Sequence, residues 1–272
     1  MSISPKALKD RVKSVANIVV SKVVGYNAKT PEMWDFYEGE APLNWDSICR
    51  INPIRIVFQA TVGQHGRHND NKPDRAVSLF VKGAQVYKQK YGLYHLLLPN
   101  GIPEQAQFYI NTVESLGGLG NMMPIMDVEV DWLRGSSWAG MIAQWKDIVE
   151  AHFNQKILCY TSKYYASFAN DKNGNPPACF KDMYGWMAGY LFLPYFDANP
   201  TMPHSYLANG FTDWAAWQYF DKGRSSPPRG FSSYPANDLS LVSPSFASIL
   251  NEFAVLFFRR QFTYFTARLS IF

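Results

Sequence analysis

Charge is scarce in this sequence. Charged residues make up 18% of the 272 positions, with 26 basic against 22 acidic side chains and a net charge of +4. The basic residues are scattered, so the stripe that marks a nucleic-acid partner is missing. The small positive excess permits attraction to anionic surfaces such as a cell wall or lipid headgroups. Cysteine is also rare: only Cys49, Cys159 and Cys179 occur. An odd count at long spacings excludes a disulfide framework and a zinc site, which leaves buried free thiols as the expectation. No run of about 18 uncharged apolar residues is present, so no transmembrane helix is expected. The opening MSISPKALKDRVKSV has no apolar core of a secretory signal. A protein acting outside a cell would then need another route of release.

Apolar residues, by contrast, reach 47% and aromatics 16%. That composition excludes disorder for most of the chain and supports a sizeable core. At about 150 residues per domain the length allows one or two domains, although α/β barrels use 200–250 residues as one.

Residues 6–24 read as an amphipathic helix. Leu8, Val12, Val15, Val19 and Val23 share one face and Gly25 is a stop. Such a helix either packs on the body of the protein or docks to a partner. From residue 33 short apolar runs alternate with helical patterns. Strands are expected at 33–37, 54–60, 92–97, 124–130, 157–161, 186–190 and 214–219. Helices are expected at 74–91, 103–116, 138–153 and 162–169. Near-continuous apolar strands joined by helices point to a parallel sheet, doubly wound or closed into a barrel. Between about 171 and 240 Pro, Gly and Asn replace the helical pattern, so the late strands are joined by loops. Residues 246–272, FASILNEFAVLFFRRQFTYFTARLSIF, are aromatic and interrupted by Arg259, Arg260 and Arg268. This segment either packs on the domain or awaits a partner.

The most informative stretch is MMPIMDVEVDW, residues 122–132. An apolar run ends in Asp127 and Glu129, which alternation places on one face of a strand, roughly 6–7 Å apart. Two carboxyls at that separation repel, and the more buried one keeps its proton. A protonated acid beside an ionised carboxylate is what glycosidic cleavage requires. In a parallel barrel the C-terminal strand ends form the active face. The same pair also suits helix capping or salt bridging. Asp131 lies beyond the apolar run and reads as a loop or cap residue.

Eight segments, in order, resemble the family 25 glycoside hydrolases, the lysozymes (N-acetylmuramidases) of bacteriophages and bacteria. WDFYEGEAPLNW resembles the family's opening strand, with Asp35 and Trp45. IRIVFQATVG resembles its second strand. GLYHLL carries Tyr94 and His95, MDVEV is similar to its DxE strand, and ILCYTSKYY carries Tyr160. WMAGY carries Trp186 and Tyr190, and WAAWQYF carries Trp217, Gln218 and Tyr219. ANDLSL closes the series with Asp238. The likeness spans roughly residues 33–245.

The resemblance implies an α/β fold: an irregular TIM-like (β/α) barrel with about five βα units followed by β-only strands. It implies three segments, namely an N-terminal helical segment 1–27, a catalytic barrel 28–245 and a tail 246–272. Glu129 matches the general acid and Asp127 its partner carboxylate. Asp35 and Asp238 match the other two acidic positions of the cleft. Tyr94, Tyr160, Trp186, Tyr190, Trp217 and Gln218 would contact sugar, since aromatic faces pack on the C–H faces of sugar rings. Each aromatic also reads as core, and His95 reads as a hydrogen-bonded barrel residue rather than a catalyst. Departures occur where the family often has Lys and Glu, here Gln59 and Val62. D-F-Y stands for D-V-S, and Leu96 for Phe.

The implied reaction cuts the β-1,4 bond between N-acetylmuramic acid and N-acetylglucosamine in peptidoglycan glycan strands. It uses no metal or organic cofactor, and the substrate's acetamido group assists. The implied setting is phage-driven lysis of the bacterial cell wall, from the host cytoplasm before release or from the phage particle. The two terminal segments would serve docking to the virion or the wall. Two alternatives stand beside it: a hydrolase of another acetamido polysaccharide such as chitin, and a non-catalytic glycan-binding or virion structural protein that keeps the barrel.

Overall fold

In the computed structural model residues 32–51, 53–131, 133–190, 202–221 and 238–250 are described. Eight strands close into a barrel in chain order. They are β1 (Glu32–Phe36), β2 (Arg55–Val62), β3 (Tyr91–Leu96), β4 (Ile125–Asp127), β5 (Leu158–Ser162), β6 (Tyr184–Ala188), β7 (Trp214–Asp221) and β8 (Asp238–Val242). Neighbours from β1 to β7 run parallel. Strand β8 closes the barrel antiparallel to both β7 and β1.

A parallel step requires a crossover, usually helical. The first five crossovers hold α1 (Trp45–Ile51), α2 (Val77–Val86), α3 (Ile102–Ser115), α4 (Ser136–Phe153) and α5 (Lys163–Ser167). Beyond α5, the described residues before β7 contain only 3-10 turns, at 178–182 and 204–206. The expected barrel of five βα units followed by strands is therefore the observed one.

Strand β8 was not among the expected strands, β4 is shorter than 124–130, and two helices differ as well. Helix α2 is shorter than 74–91. Asp74 turns its carboxylate to the backbone N–H groups of Glu38 and Ala76, and Lys88 adopts φ +55°. A lysine in the left-handed region ends the helix. Helix α1 went unread because seven residues are too few to show a period.

Strand alternation sorts the side chains into two apolar layers. Met33, Val57, Ile125, Leu158, Trp186 and Ala216 fill the barrel interior. Trp34, Phe58, Leu93, Met126, Cys159 and Trp217 face outward, where helices and connecting segments cover them. Both layers are dry, which is why β2 is buried along its whole length. Cys159 is buried and Cys49 and Cys179 are half-buried, all as free thiols.

The lower, N-terminal end of the barrel is closed from the C-terminal side of the sequence. Residues 244–250 are helical, and Phe246 and Leu250 join the interior cluster. Arg55, fully buried at the start of β2, donates from Nη2 to the Leu250 carbonyl at 2.6 Å. It also donates to the carbonyls of Ile54 and Asn121. Burial draws its pKa down to about 10. The segment 1–27 and residues 251–272 lie outside the described residues.

Candidate active site

The upper mouth of the barrel, at the C-terminal strand ends, holds a cavity of about 240 Å³. Its lining follows directly from the alternation. Every strand that sends an apolar residue inward lower down sends a polar or aromatic one inward a step or two later. Strand β1 places Met33 and then Asp35; β2 places Val57 and then Gln59; β4 places Ile125, Asp127 and, just past its end, Glu129. Tyr94 from β3, Tyr160 from β5, Trp186 from β6 and Tyr190 just past its end supply the aromatic wall. Gln218 enters from β7.

Asp127 is the most deeply set carboxyl of the cavity, with only 7% of its surface exposed. Its Oδ1 is buried without a hydrogen-bond partner among the described residues. Burial first, then the charges of Glu129 and Asp35, hold its pKa well above the usual carboxylate range. The expectation that the more buried carboxyl of the D-x-E pair keeps its proton thus points to Asp127. Glu129 is half-buried and lines the same cavity. Asp131 is exposed, as a loop residue, and its carbonyl accepts from Arg134.

Asp35 is held by a relay. Gln218 Nε2 donates to Asp35 Oδ2 at 3.2 Å. The Gln218 Oε1 accepts from the hydroxyls of both Tyr160 and Tyr190, the latter at 2.8 Å. Gln218 therefore orients two tyrosines and one carboxylate with a single amide. Trp186 packs edge-on against Tyr160, with centroids 4.9 Å apart, and donates from Nε1 to Ser240 Oγ at 2.9 Å. Burial keeps the hydroxyls of Tyr94 and Tyr160 protonated, so both remain donors.

Most of the residues singled out in the sequence converge here. Asp35, Asp127, Glu129, Tyr94, Tyr160, Trp186, Tyr190 and Gln218 all line the cavity. Asp238 pairs with Asp35 in the β1–β8 register, which brings its backbone to the rim; its side chain lies outside the described residues. Trp217 is placed elsewhere. It is next to inward-facing Gln218, so it points outward, is 1% exposed, and donates from Nε1 to the Gly189 carbonyl at 2.8 Å. His95 also faces outward. It is stacked on Trp145 of α4 and hydrogen-bonded to Thr61 and Gln105.

Sequence reading missed Tyr37 and Arg67 as lining residues. Tyr37 follows β1 directly, and its place two beyond Asp35 was a usable signal. Arg67 lies in a loop with no period to read. Among the described residues, no group of His, Cys, Asp and Glu side chains is arranged to hold a metal ion.

Comparison with known proteins adds to this geometry. The family model described as Glycosyl hydrolases family 25 matches residues 34–227. No curated protein sequence matches the chain. Among solved structures, the spore cortex lytic enzyme SleM of Clostridium perfringens superposes with a TM-score of 0.63 at 24% identity, covering 80% of this chain and 69% of that one. A family 25 glycosyl hydrolase from Bacillus anthracis gives 0.61 at 15% identity, over 81% and 92% of the two chains. The catalytic domain of endolysin ply40, from bacteriophage P40 of Listeria monocytogenes, gives 0.57 at 15% identity, over 81% and 97%. These structures share the fold. With the family model spanning most of the barrel, and a cleft that gathers carboxyls and aromatic side chains at its mouth, the chain belongs to glycosyl hydrolases family 25 and is a glycoside hydrolase.

Proposed function

We propose that the chain is a muramidase: it cleaves the β-1,4 bond between N-acetylmuramic acid and N-acetylglucosamine, with retention, using the substrate's acetamido group as nucleophile. The observation that carries this reading is Asp127, a buried, proton-holding carboxyl with an orphaned oxygen, two residues before Glu129 in the same cavity.

The steps follow from that pairing. The charge of Glu129 in the same cavity opposes ionisation of Asp127. An acetamido N–H brought to the bare Oδ1 of Asp127 favours its carboxylate form and leaves the proton to Glu129. Glu129 gives that proton to the departing glycosidic oxygen while the C1–O bond breaks. The acetamido oxygen, its N–H held by Asp127, bonds to C1 from the opposite face. Water then opens the cyclic intermediate, and Glu129 takes a proton from it. Asp35, fixed by Gln218, supplies a further negative charge near the positive charge that develops at C1. The aromatic wall packs on the sugar rings.

The setting we propose is lysis of a bacterial wall in a phage cycle, by a free lysin or a particle component. What supports it is the fold shared with a phage endolysin domain.

The test is digestion of purified peptidoglycan followed by mass spectrometry. New reducing ends on muramic acid are expected. Ends on glucosamine, or cleavage of chitin alone, would replace this substrate assignment. Glu129→Gln should cut turnover by about 10²–10⁴-fold, whereas Asp131→Asn, at an exposed position, should lose less than about tenfold. A Glu129→Gln protein that clears walls at the wild-type rate removes Glu129 as the acid.

A further inference from the structure

Arg67 is the one basic residue that lines the cavity among the described residues. It arrives from the loop after β2, and that loop is tightly made. Gly66 sits at φ +76°, where an added Cβ would lie 2.2 Å from the Lys72 carbonyl oxygen. Gly66 N–H bonds the Val62 carbonyl at 2.9 Å, and Asn71 N–H bonds the His65 carbonyl at 2.8 Å. The arginine is therefore held out from a closed turn rather than carried on a loose strand.

Its guanidinium is aimed as well as placed. Nε and Nη2 both donate to Oε1 of Gln59, an inward residue of β2 that is only 2% exposed. The guanidinium also lies over the Tyr37 ring, 4.9 Å from its centroid. Glu38 stands 3.9 Å from Nε, beyond direct hydrogen-bond reach. A guanidinium has five N–H donors, and the anchoring bonds leave the Nη1 edge for a ligand. The side chain is 37% exposed, and Arg67 lines the cavity.

We propose that Arg67 recognises the lactyl carboxylate of the muramic acid ring and so selects muramic acid over glucosamine. This inference rests on the muramidase reading above. The two sugars differ at O3, where muramic acid alone carries a lactyl ether. The remaining ionisable groups of the cavity, Asp35, Asp127 and Glu129 among them, are acidic or phenolic. A carboxylate entering such a cleft is repelled unless a fixed cation meets it. A planar fork anchored on one edge presents the other to a carboxylate with little loss of freedom. When the lactyl group carries a stem peptide it is an amide. Arg67 then donates to a neutral carbonyl, a weaker bond.

The experiment measures binding of the disaccharide N-acetylglucosaminyl-N-acetylmuramic acid, a product that is not cleaved further, by calorimetry on the full chain. The free acid is compared with its lactyl methylamide for wild type, Arg67→Gln and Arg67→Lys. Wild type is expected to bind the acid about tenfold more tightly, a gap of about 1.4 kcal/mol, and the gap should shrink as salt rises. Arg67→Gln should bind acid and amide alike. Arg67→Lys, which keeps charge without the fork, should fall between. Equal weakening of both ligands in Arg67→Gln would make the residue a mere clamp on Gln59 and Tyr37. A gap that survives in Arg67→Gln would assign the carboxylate to another group. Either result overturns the proposal. Wild type that releases muramic reducing ends yet shows no preference overturns this inference alone. Wild type that releases none overturns the muramidase reading with it.

Discussion

Acidification should destabilise this barrel through a residue that takes no part in the reaction. His95 is fully buried behind the cavity wall. Its Nδ1 lies 2.8 Å from Thr61 Oγ1 and its Nε2 3.1 Å from Gln105 Oε1. The amide oxygen of Gln105 is an acceptor only, so Nε2 carries the proton and Nδ1 receives the threonine hydroxyl. Burial disfavours the charged ring and brings its pKa from 6.5 down to about 4. The folded state thus holds the neutral form more strongly than the unfolded chain does. For a depressed pKa the stabilisation is complete above the unfolded value near 6.5. It is lost as pH falls through the window down to about 4. At 1.36 kcal/mol per pH unit, the full loss is about 3 kcal/mol, a large fraction of the 5–15 kcal/mol typical of a domain. Urea unfolding followed between about pH 7 and pH 4 measures it. His95→Gln removes the titration while keeping a donor for Gln105. It will start less stable, having lost the stacking on Trp145, but its stability should fall less steeply with acid. Wild type and variant that decline in parallel would refute the assignment.

Other consequences are equally concrete. Asp127 has a raised pKa in the folded state, so its ionisation opposes folding as pH rises above the ordinary carboxylate range. Asp127→Asn should be more stable than wild type at neutral pH in urea melts and nearly inactive in wall clearing. A variant that is less stable would show that the carboxyl is satisfied in the fold. Gln218→Leu removes the acceptor shared by the hydroxyls of Tyr160 and Tyr190, at about 1–3 kcal/mol for the buried Tyr160 donor. It should lower both melting temperature and turnover, whereas Trp217→Phe, outside the cavity, should lower stability with KM unchanged. Ending the chain before residue 244 removes Phe246, Leu250 and a hydrogen-bond partner of Arg55. Insoluble protein is expected from that truncation, and a soluble active barrel would show that the lower end closes without them. Hydrolysis should persist in excess chelator, measured as turbidity loss, because the proposed acid and nucleophile are a carboxyl and the substrate's own amide.

Much of this architecture is written in local pattern. Apolar runs of four to eight residues and the helical stretches between them place seven of the eight strands and four of the five crossover helices. Period-two alternation puts Asp127 and Glu129 on one face, because a strand turns successive side chains to opposite sides, whereas Asp35 and Gln218 are marked by the family resemblance. The same rule, applied strictly, sends Trp217 to the outer face of the barrel. Its aromatic character had suggested sugar contact, and the register decided against it.

What local pattern leaves open is decided by closure. Strand β8 is legible only as a short polar motif, since besides its sequence neighbour β7 it pairs with β1 from the opposite end of the barrel sequence. Helix 244–250 gains its place by meeting Arg55, nearly 200 positions earlier in sequence. Arg67 has no period and no neighbour in sequence that marks it; it enters the cleft because its loop folds back over Gln59 and Tyr37. Most telling is the proton on Asp127. Two carboxyls two residues apart establish that they compete. Which of them is driven out of water depends on the barrel wall around it, and the residues of that wall are scattered from 35 to 218. Identity and spacing are properties of the chain, whereas desolvation is a property of the enclosure, and only tertiary structure encloses.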